Sequence, residues 1–218
     1  ESSALYYEIL NEETKRRLGG LHSAEVVLYS VDFARIERMQ AAGQWAEAGA
    51  CLAEAARRVE AAGAEVLLLC TNTMHLVADE VAAAVAIPLL HIADATGERI
   101  VAAGYRTVGL LGTRFTMEQD FYKGRLTDHY DLKVIAPDQA GREIVHRAIY
   151  DELCLGVLRD ESRAAYLKIM DDLVAQGAQG IILGCTEITL LIKPEHTPLL
   201  LYDTTYLHAL AAVDWALG

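Results

Sequence analysis

The chain has 218 residues, of which 53% are hydrophobic, and a formal net charge of −12 at pH 7. This length is enough for one large domain or two small ones, and the hydrophobic content is typical of a globular protein rather than a disordered one. Nucleic acid and membrane are not expected as partners, because phosphate binding needs clustered Lys and Arg and no apolar run approaches the length of a membrane span.

Apolar runs alternate with helix-length segments along the chain, which is the pattern of a parallel α/β sheet. Strands are predicted over residues 24–32, 65–70, 87–92, 107–113, 131–137, 180–185 and 198–203. Helices are predicted over residues 4–18, 44–62, 73–85, 93–103, 115–130, 139–155, 160–176 and 205–217. Since a doubly wound unit normally begins with a strand, we expect a first strand of the sheet to be missing ahead of the first helix.

Two predicted strands end in the same way, and this is the most informative feature of the chain. "EVLLLC" ends on Cys70 and "GIILGC" ends on Cys185, and each cysteine is followed by threonine and further polar residues. The repeat predicts two similar Rossmann-like α/β lobes, related by pseudo-twofold symmetry, with an active site in the cleft between them. The first lobe is predicted over 1–91 and the second over 92–204, with the final helix, 205–218, returning to the first lobe.

The position of the two cysteines favours a binding or catalytic role. The carboxyl end of a parallel strand is where α/β sheets bind ligands, and a following helix presents unpaired N–H groups and the positive end of its dipole. Both effects are expected to lower the pKa of a thiol there. The neighbouring polar side chains are candidates for hydrogen bonds to a bound carboxylate or amine: Thr71, Asn72, Thr73, Thr186 and Glu187.

A lone cysteine in such a place is more often a buried structural residue, but two in matched contexts make that interpretation weaker. Four cysteines without a C-x-x-C pair do not form a disulfide scaffold, so a reducing, cytoplasmic location is expected. A metal site is not predicted, because Cys70 and His75 have no second closely spaced ligand pair.

Stereochemical inversion at a carbon acid is a reaction that uses two matched thiols. One thiolate removes a proton from one face of the carbon while a thiol delivers a proton to the other face. Because the two roles exchange for the opposite enantiomer, one pair of cysteines serves both directions.

The segments "YYEILNEE", "SVDF", "CTNTMH", "GLLGTRFTM" and "GCTE" resemble the aspartate/glutamate racemase family, the cofactor-independent amino-acid racemases. The resemblance extends over nearly the whole chain and implies that Cys70 and Cys185 are the two catalytic acid/bases. It also implies a small-molecule amino-acid substrate, no pyridoxal phosphate or other cofactor, no metal, and a homodimer. The residues implied to hold the substrate carboxylate are Asn72, Thr73, Thr113, Thr116 and Thr186.

Three departures from the family pattern concern the lining of the site and the substrate. Family members usually begin with a strand and a Gly-Gly-Met-Ser-Trp loop, and this chain starts after that point. Aspartate-specific members carry a lysine where this chain has Cys154, and "YSVDF" (29–33) contains no arginine. The absence of this lysine and of this arginine weakens the case for an acidic side chain on the substrate, and favours a broad-specificity racemase as well as an aspartate/glutamate enzyme.

Several other readings stay open from the sequence. The nearest enzymatic alternatives have the same kind of fold and use one or both cysteines differently: maleate isomerases, malonate decarboxylases and hydantoin racemases. The alternative from another class is a non-catalytic two-lobed protein that binds a small molecule. His91 and His208 are predicted to be core histidines, and Asp203 to be the N-cap of the last helix. The glycines of "GLLGT" fit no nucleotide-binding pattern.

Overall fold

The computed structural model describes residues 2–218 and divides into two compact units. The first unit contains the chain up to Cys70 together with Met74–His91 and His208–Gly218, and the second contains Thr71–Thr73 and Ile92–Leu207. Each unit has its own parallel β-sheet with helices packed against it. The predicted α/β class with parallel sheets is therefore confirmed.

The first unit has a two-stranded parallel sheet in which Leu67 pairs with Leu89 and Leu68 with Leu90. A 3-10 helix, Thr73–Val77, precedes its short helix α4. Its helices and strands are α1 (Ser2–Leu18), α2 (Phe33–Ala41), α3 (Trp45–Ala61), β1 (Leu67–Leu68), α4 (Ala78–Ala82), β2 (Leu89–Leu90) and most of α11 (Thr204–Leu217).

The chain around β1 separates two small cores, because successive side chains of a strand point to opposite faces. Leu67 and Leu69 pack in a cluster with buried residues of α2 and α3. Leu68 and Cys70 instead pack against a second cluster, which consists of Tyr6, Ile9 and Ala209. Cys70 therefore continues an apolar face of this extended segment.

The second unit has a four-stranded sheet with all neighbours parallel, in the order β4-β3-β5-β6. The 3-10 helices Leu153–Leu155 and Pro194–His196 lie in its connections. Its helices and strands are α5 (Ile92–Ala102), β3 (Thr107–Gly112), α6 (Arg114–Glu118), α7 (Asp120–Tyr130), β4 (Lys133–Ile135), α8 (Gln139–Asp151), α9 (Asp160–Ala175), β5 (Gly180–Gly184), α10 (Ile188–Leu191) and β6 (Leu200–Asp203).

The central strands of this sheet are buried on both faces, as expected for a parallel sheet covered by helices. All of β5 and all of β3 after Thr107 are buried. Glycine allows close backbone contact where the two strands end. A Cβ atom on Gly184 would lie 2.9 Å from the carbonyl oxygen of Leu111, which is too close, and one on Gly112 would lie 3.1 Å from that of Gly184, which is tight. The strands can approach this closely only because neither residue has a side chain.

The structure departs from the sequence predictions in several places. Residues 24–32 form no strand, because this segment has no ladder partner among the described residues, and Val27, Leu28 and Tyr29 are all exposed. The predicted helix over 73–85 is a 3-10 helix followed by α4, and that over 115–130 is split into α6 and α7. Helix α2 was not predicted; its N-cap is Asp32, which accepts a hydrogen bond from the backbone N–H of Ala34. No helix within residues 2–218 is both long and apolar enough to span a membrane.

A buried carboxylate links the end of α1 to α11 in the first unit. Glu13 is 6% exposed and accepts hydrogen bonds from Arg16 Nη2 at 2.6 Å and Arg17 Nε at 2.7 Å. Arg17 also forms an ion pair with Asp214 of α11. The two guanidinium groups, first that of Arg16 and then that of Arg17, lower the pKa of Glu13 from 4.5 to about 2.

We expect the variant Glu13→Gln to lower the melting temperature at pH 7 by about 2–4 °C. Because the folded-state pKa lies below the unfolded value, the stabilisation is present above pH 4.5 and is lost as the pH falls toward 2. Melting curves by circular dichroism between pH 7 and pH 2.5 should therefore converge for the two proteins. Glu12→Gln, on the exposed side of the same helix, is the control and should behave like wild type. A difference that does not change with pH would contradict this account of Glu13.

Candidate active site

The parallel register of the second unit brings three polar chain segments to one edge of its sheet. Gly112 of β3 pairs with Gly184 of β5, and Leu183 pairs with Asp203 of β6. The residues that follow these strand ends are Thr113, Cys185 and Thr204. This edge is formed by the carboxyl ends of parallel strands, where α/β sheets place their ligands.

Cys185 lies directly beyond β5, and its thiol has a defined partner. The Sγ–H donates to Oε2 of Glu187 at 2.9 Å. Burial, followed by the negative charge of Glu187 and this hydrogen bond, raises the pKa of the Cys185 thiol well above its ordinary value. The arrangement therefore holds a protonated thiol against a carboxylate that can receive its proton.

A chain of three threonine hydroxyls lies beside this strand end. Thr73 Oγ1 is 2.9 Å from Thr113 Oγ1, which is 3.2 Å from Thr116 Oγ1. Thr113 is the N-cap of α6 and also accepts from the backbone N–H of Thr116. All three threonines are buried. The sequence-predicted residues Thr73, Thr113 and Thr116 are thus one hydrogen-bonded group.

Asn72 is attached to the same unit through the start of α11. Its Nδ2 donates to Thr204 Oγ1 at 2.9 Å, and Thr204 Oγ1 donates to the carbonyl oxygen of Leu183 at 3.0 Å. Asn72 and Thr204 are almost completely buried. From the sequence, the strand end at Asp203, Thr204 and Thr205 is interpreted as the cap of the last helix rather than as part of a site.

The second cysteine turn is connected to the same helix start. Thr186 Oγ1 lies 2.9 Å from Thr205 Oγ1, and Thr186 is half-buried. Asp203 Oδ1 accepts from the backbone N–H groups of Thr205 and Tyr206. The prediction that Asp203 caps the last helix is therefore confirmed. Thr205 lies at the same edge through its contact with Thr186.

The surroundings of Cys70 differ from those of Cys185. Cys70 belongs to the first unit and packs on the same side as Leu68, against the cluster formed by Tyr6, Ile9 and Ala209. Burial raises the pKa of its thiol from 9.0 to about 12. Thr71, which is half-buried, is counted with the second unit.

The expected lowering of the thiol pKa at the two turns is wrong. The segment after Cys70 is a five-residue 3-10 helix, and α10 after Cys185 has only four residues. Such short helices contribute little dipole, so burial is the larger effect and favours the neutral thiol at both positions. None of the four cysteines is in a disulfide.

Three histidines and a tyrosine form a polar group in the first unit, in which Tyr6, His75 and His208 are buried and His91 is half-buried. His208 Nδ1 lies 2.7 Å from Tyr6 Oη, and its Nε2 lies 2.9 Å from the carbonyl oxygen of Leu90. The ring of His75 is 4.4 Å from that of His91 and 5.9 Å from that of His208, measured between centroids. The prediction of a satisfied core histidine is confirmed for His208, which is fully buried. Within residues 2–218, no group of three or more His, Cys, Asp or Glu side chains is arranged to hold a metal ion.

Comparison with known proteins agrees with this fold. The sequence profile of the Asp/Glu/Hydantoin racemase family matches residues 1–212. A protein from Yersinia pestis, provisionally described as an Asp/Glu racemase, is 53% identical, with a TM-score of 0.93 over 100% of this chain and 94% of the other. An aspartate racemase homologue from Pyrococcus horikoshii is 32% identical, with a TM-score of 0.84 over 99% of this chain and 94% of the other.

A more distant structure shares the fold. The aspartate racemase of Picrophilus torridus is 18% identical, with a TM-score of 0.77 over 99% of this chain and 89% of the other. The family profile covers nearly the whole chain, residues 1–212. This chain therefore belongs to the Asp/Glu/Hydantoin racemase family.

Proposed function

We propose that the protein is a cofactor-independent amino-acid racemase that interconverts L- and D-enantiomers by two-base proton transfer at Cα. The observation that carries the proposal is the Cys185 thiol at the end of β5, with its Sγ–H on the Glu187 carboxylate at 2.9 Å. A thiol beside a proton acceptor is equipped to exchange a proton with a carbon acid. Membership of a racemase family supports the same reaction class.

The proposed reaction starts with the thiol proton of Cys185 moving to Glu187. The resulting thiolate removes the α-proton from one face of the amino acid, forming an S–H bond and leaving the electron pair of the broken C–H bond on Cα. A second acid/base group then delivers a proton to the opposite face, which gives the other enantiomer. The reverse reaction uses the same groups with their roles exchanged.

The hydroxyl groups at this edge are placed to stabilise the negative charge that develops on the substrate, which is the main energetic barrier of the proposed reaction. Hydroxyl donors around a carboxylate stabilise negative charge that spreads into it from Cα, particularly where water is excluded. Thr73, Thr113 and Thr116 are assigned to the substrate carboxylate, as the resemblance implies. Thr186 is assigned to the same group, and its contact with Thr205 keeps its hydroxyl in place.

The Cys70–Thr73 turn is proposed to supply the second acid/base group, with Cys70 as the first candidate. The packing of Cys70 against Tyr6, Ile9 and Ala209 is equally that of a core residue. Thr71, the next residue, belongs to the second unit with Asn72 and Thr73. Substitutions at both positions are therefore needed to assign the group.

The proposed substrate is either aspartate or glutamate, or a broader range of amino acids. Cys154 lies in the 3-10 helix Leu153–Leu155 and packs against the core of the second unit. A thiol at this position offers no positive charge to a side-chain carboxylate, and this favours broad specificity. The homodimer and the cytoplasmic location stay predictions from the sequence.

The primary test is α-proton exchange in D2O, followed by NMR, with separate L-aspartate, L-glutamate, L-homoserine, L-methionine and L-lysine. We expect loss of the α-proton signal for at least one amino acid, together with the D-enantiomer on a chiral column. In D2O the exchangeable protons of the acid/base groups are replaced by deuterium, so the group that delivers to the opposite face of Cα supplies deuterium and the product enantiomer carries it there. Absence of exchange with all five amino acids would contradict the proposal.

Single substitutions should separate the roles of the cysteines. We expect Cys185→Ser to lower kcat by about 10²- to 10⁴-fold, because a hydroxyl is a much weaker acid than a thiol. Cys70→Ser should lower kcat similarly if Cys70 is the second base. Cys51→Ser, at a half-buried cysteine in α3, is the control and should keep full activity.

The kinetics of these variants in both directions decide the assignment. Full activity of Cys185→Ser would end the two-base scheme. Full activity of Cys70→Ser together with loss of activity in Thr71→Val would assign Cys70 to the core and the second role to the neighbouring hydroxyl.

Alkylation tests the electrostatic account of Cys185. Because its thiol pKa is raised, we expect slow reaction with iodoacetamide at pH 8 and a steady increase in rate at higher pH. Glu187→Gln removes the negative charge and should speed modification at pH 8 by about three- to tenfold. Peptide mapping by mass spectrometry separates Cys185 from Cys51, whose rate is the internal control. An unchanged rate in the variant would show that Glu187 does not hold the thiol protonated.

A further inference from the structure

The orientation of the Asn72 side-chain amide follows from hydrogen bonds to its neighbours. Thr204 has a single hydroxyl proton, and its Oγ1 lies 3.0 Å from the carbonyl oxygen of Leu183, which can only accept. The Thr204 proton is therefore committed to Leu183. Toward Asn72 the hydroxyl oxygen can only accept, so the atom at 2.9 Å must be the Asn72 amide nitrogen.

This orientation leaves the other amide atom of Asn72 without a donor. The side-chain oxygen Oδ1 is buried and has no hydrogen-bond partner among the described residues. Asn72 as a whole is 3% exposed. A buried acceptor without a donor is unfavourable, and native structures normally satisfy such atoms. The missing partner is therefore a donor that residues 2–218 do not provide.

We propose that Asn72 Oδ1 accepts a hydrogen bond from the α-ammonium group of the substrate, and that Thr204 is the positioning residue that keeps this oxygen available. This inference rests on the proposed function and revises the role of Asn72, which the family resemblance implies to be a carboxylate contact. An amide oxygen repels a carboxylate but stabilises an ammonium group. The hydroxyl chain of Thr73, Thr113 and Thr116 remains available to the carboxylate.

Thr204 thereby becomes a determinant of specificity for an amino group. If its hydroxyl is removed, Asn72 loses the partner that orders its amide, and the amide can rotate to present its nitrogen in place of its oxygen. Affinity for an amino acid should then fall, whereas affinity for the corresponding acid without the amino group should change little. A purely structural role for Thr204 would weaken both ligands alike.

The test compares ligand pairs that differ only in the amino group, by isothermal titration calorimetry with the full chain. The pairs are L-aspartate with succinate, L-glutamate with glutarate, and L-homoserine with 4-hydroxybutyrate. For at least one pair, we expect wild type to bind the amino acid at least about tenfold more tightly than the acid that lacks the amino group. Thr204→Val should raise the Kd of that amino acid by about 10- to 100-fold and leave the Kd of its partner within about threefold.

Three further variants provide the controls. Thr204→Ser keeps the hydroxyl and should restore the wild-type preference. Asn72→Leu removes the acceptor but leaves the Thr204–Leu183 bond, and should lose the preference as Thr204→Val does. Thr96→Val is the matched control, because Thr96 is also fully buried in the second unit, donates to the carbonyl oxygen of Ile92 and accepts from Tyr122 Oη. It should lower thermal stability without changing either Kd.

The outcomes separate this inference from the proposed racemase activity. Equal affinity of wild type for the members of every pair, or an unchanged preference in Asn72→Leu, would overturn the role of Asn72 while α-proton exchange still stood. An unchanged preference in a folded Thr204→Val would overturn the positioning role. Failure of wild type to bind any of the six ligands would overturn the inference, whereas the proposed function would fall only if α-proton exchange were absent with all five amino acids.

Discussion

The close parallel pairing of β3, β5 and β6 is the constraint on which the candidate site depends. Because these strands run in one direction and are held in fixed register, their carboxyl ends lie at one edge of the sheet. Glycine at 112 and 184 allows the backbones to approach within distances that any side chain would obstruct. The chain leaves this tightly packed edge through Thr113 and Cys185, so their positions are fixed by backbone pairing before any side-chain contact is considered.

Burial at this edge has opposite consequences for hydroxyls and for thiols. A threonine in a buried place finds its hydrogen bonds among other hydroxyls and carbonyl oxygens, and remains neutral. A buried thiol is more stable protonated than as a thiolate, since burial disfavours charge. The resting enzyme therefore keeps Cys185 protonated and supplies a carboxylate, Glu187, at hydrogen-bond distance. The proposed reaction makes thiolate by a short proton transfer rather than by keeping a thiolate in advance.

Much of the fold could be predicted from the sequence, because parallel strands and their helices leave strong apolar patterns. Strands β3 and β5 were predicted to within a residue, since both are buried over nearly their whole length. The segment 24–32 has the same apolar character but no hydrogen-bonded neighbour among the described residues, and a strand exists only with a partner. Helix regularity was the other error: the predicted dipole effect on both thiols assumed long α-helices. A five-residue 3-10 helix instead follows Cys70 ahead of the short α4, and only the four-residue α10 follows Cys185.

The candidate site was less accessible to prediction, because its important contacts join residues far apart in the chain. Asn72 and Thr204 are separated by 132 positions, and nothing in either local sequence indicates that they meet. The sequence around Thr204 indicates the start of a helix, and the sequence around Asn72 indicates only a polar residue in a turn. Only the hydrogen bond to Leu183 decides which way the amide faces, and therefore whether the residue offers an acceptor or a donor to a ligand. Whether the Asn72 side chain presents an acceptor or a donor is thus set by the hydrogen bond that its partner Thr204 makes to a third residue, which a linear motif does not contain.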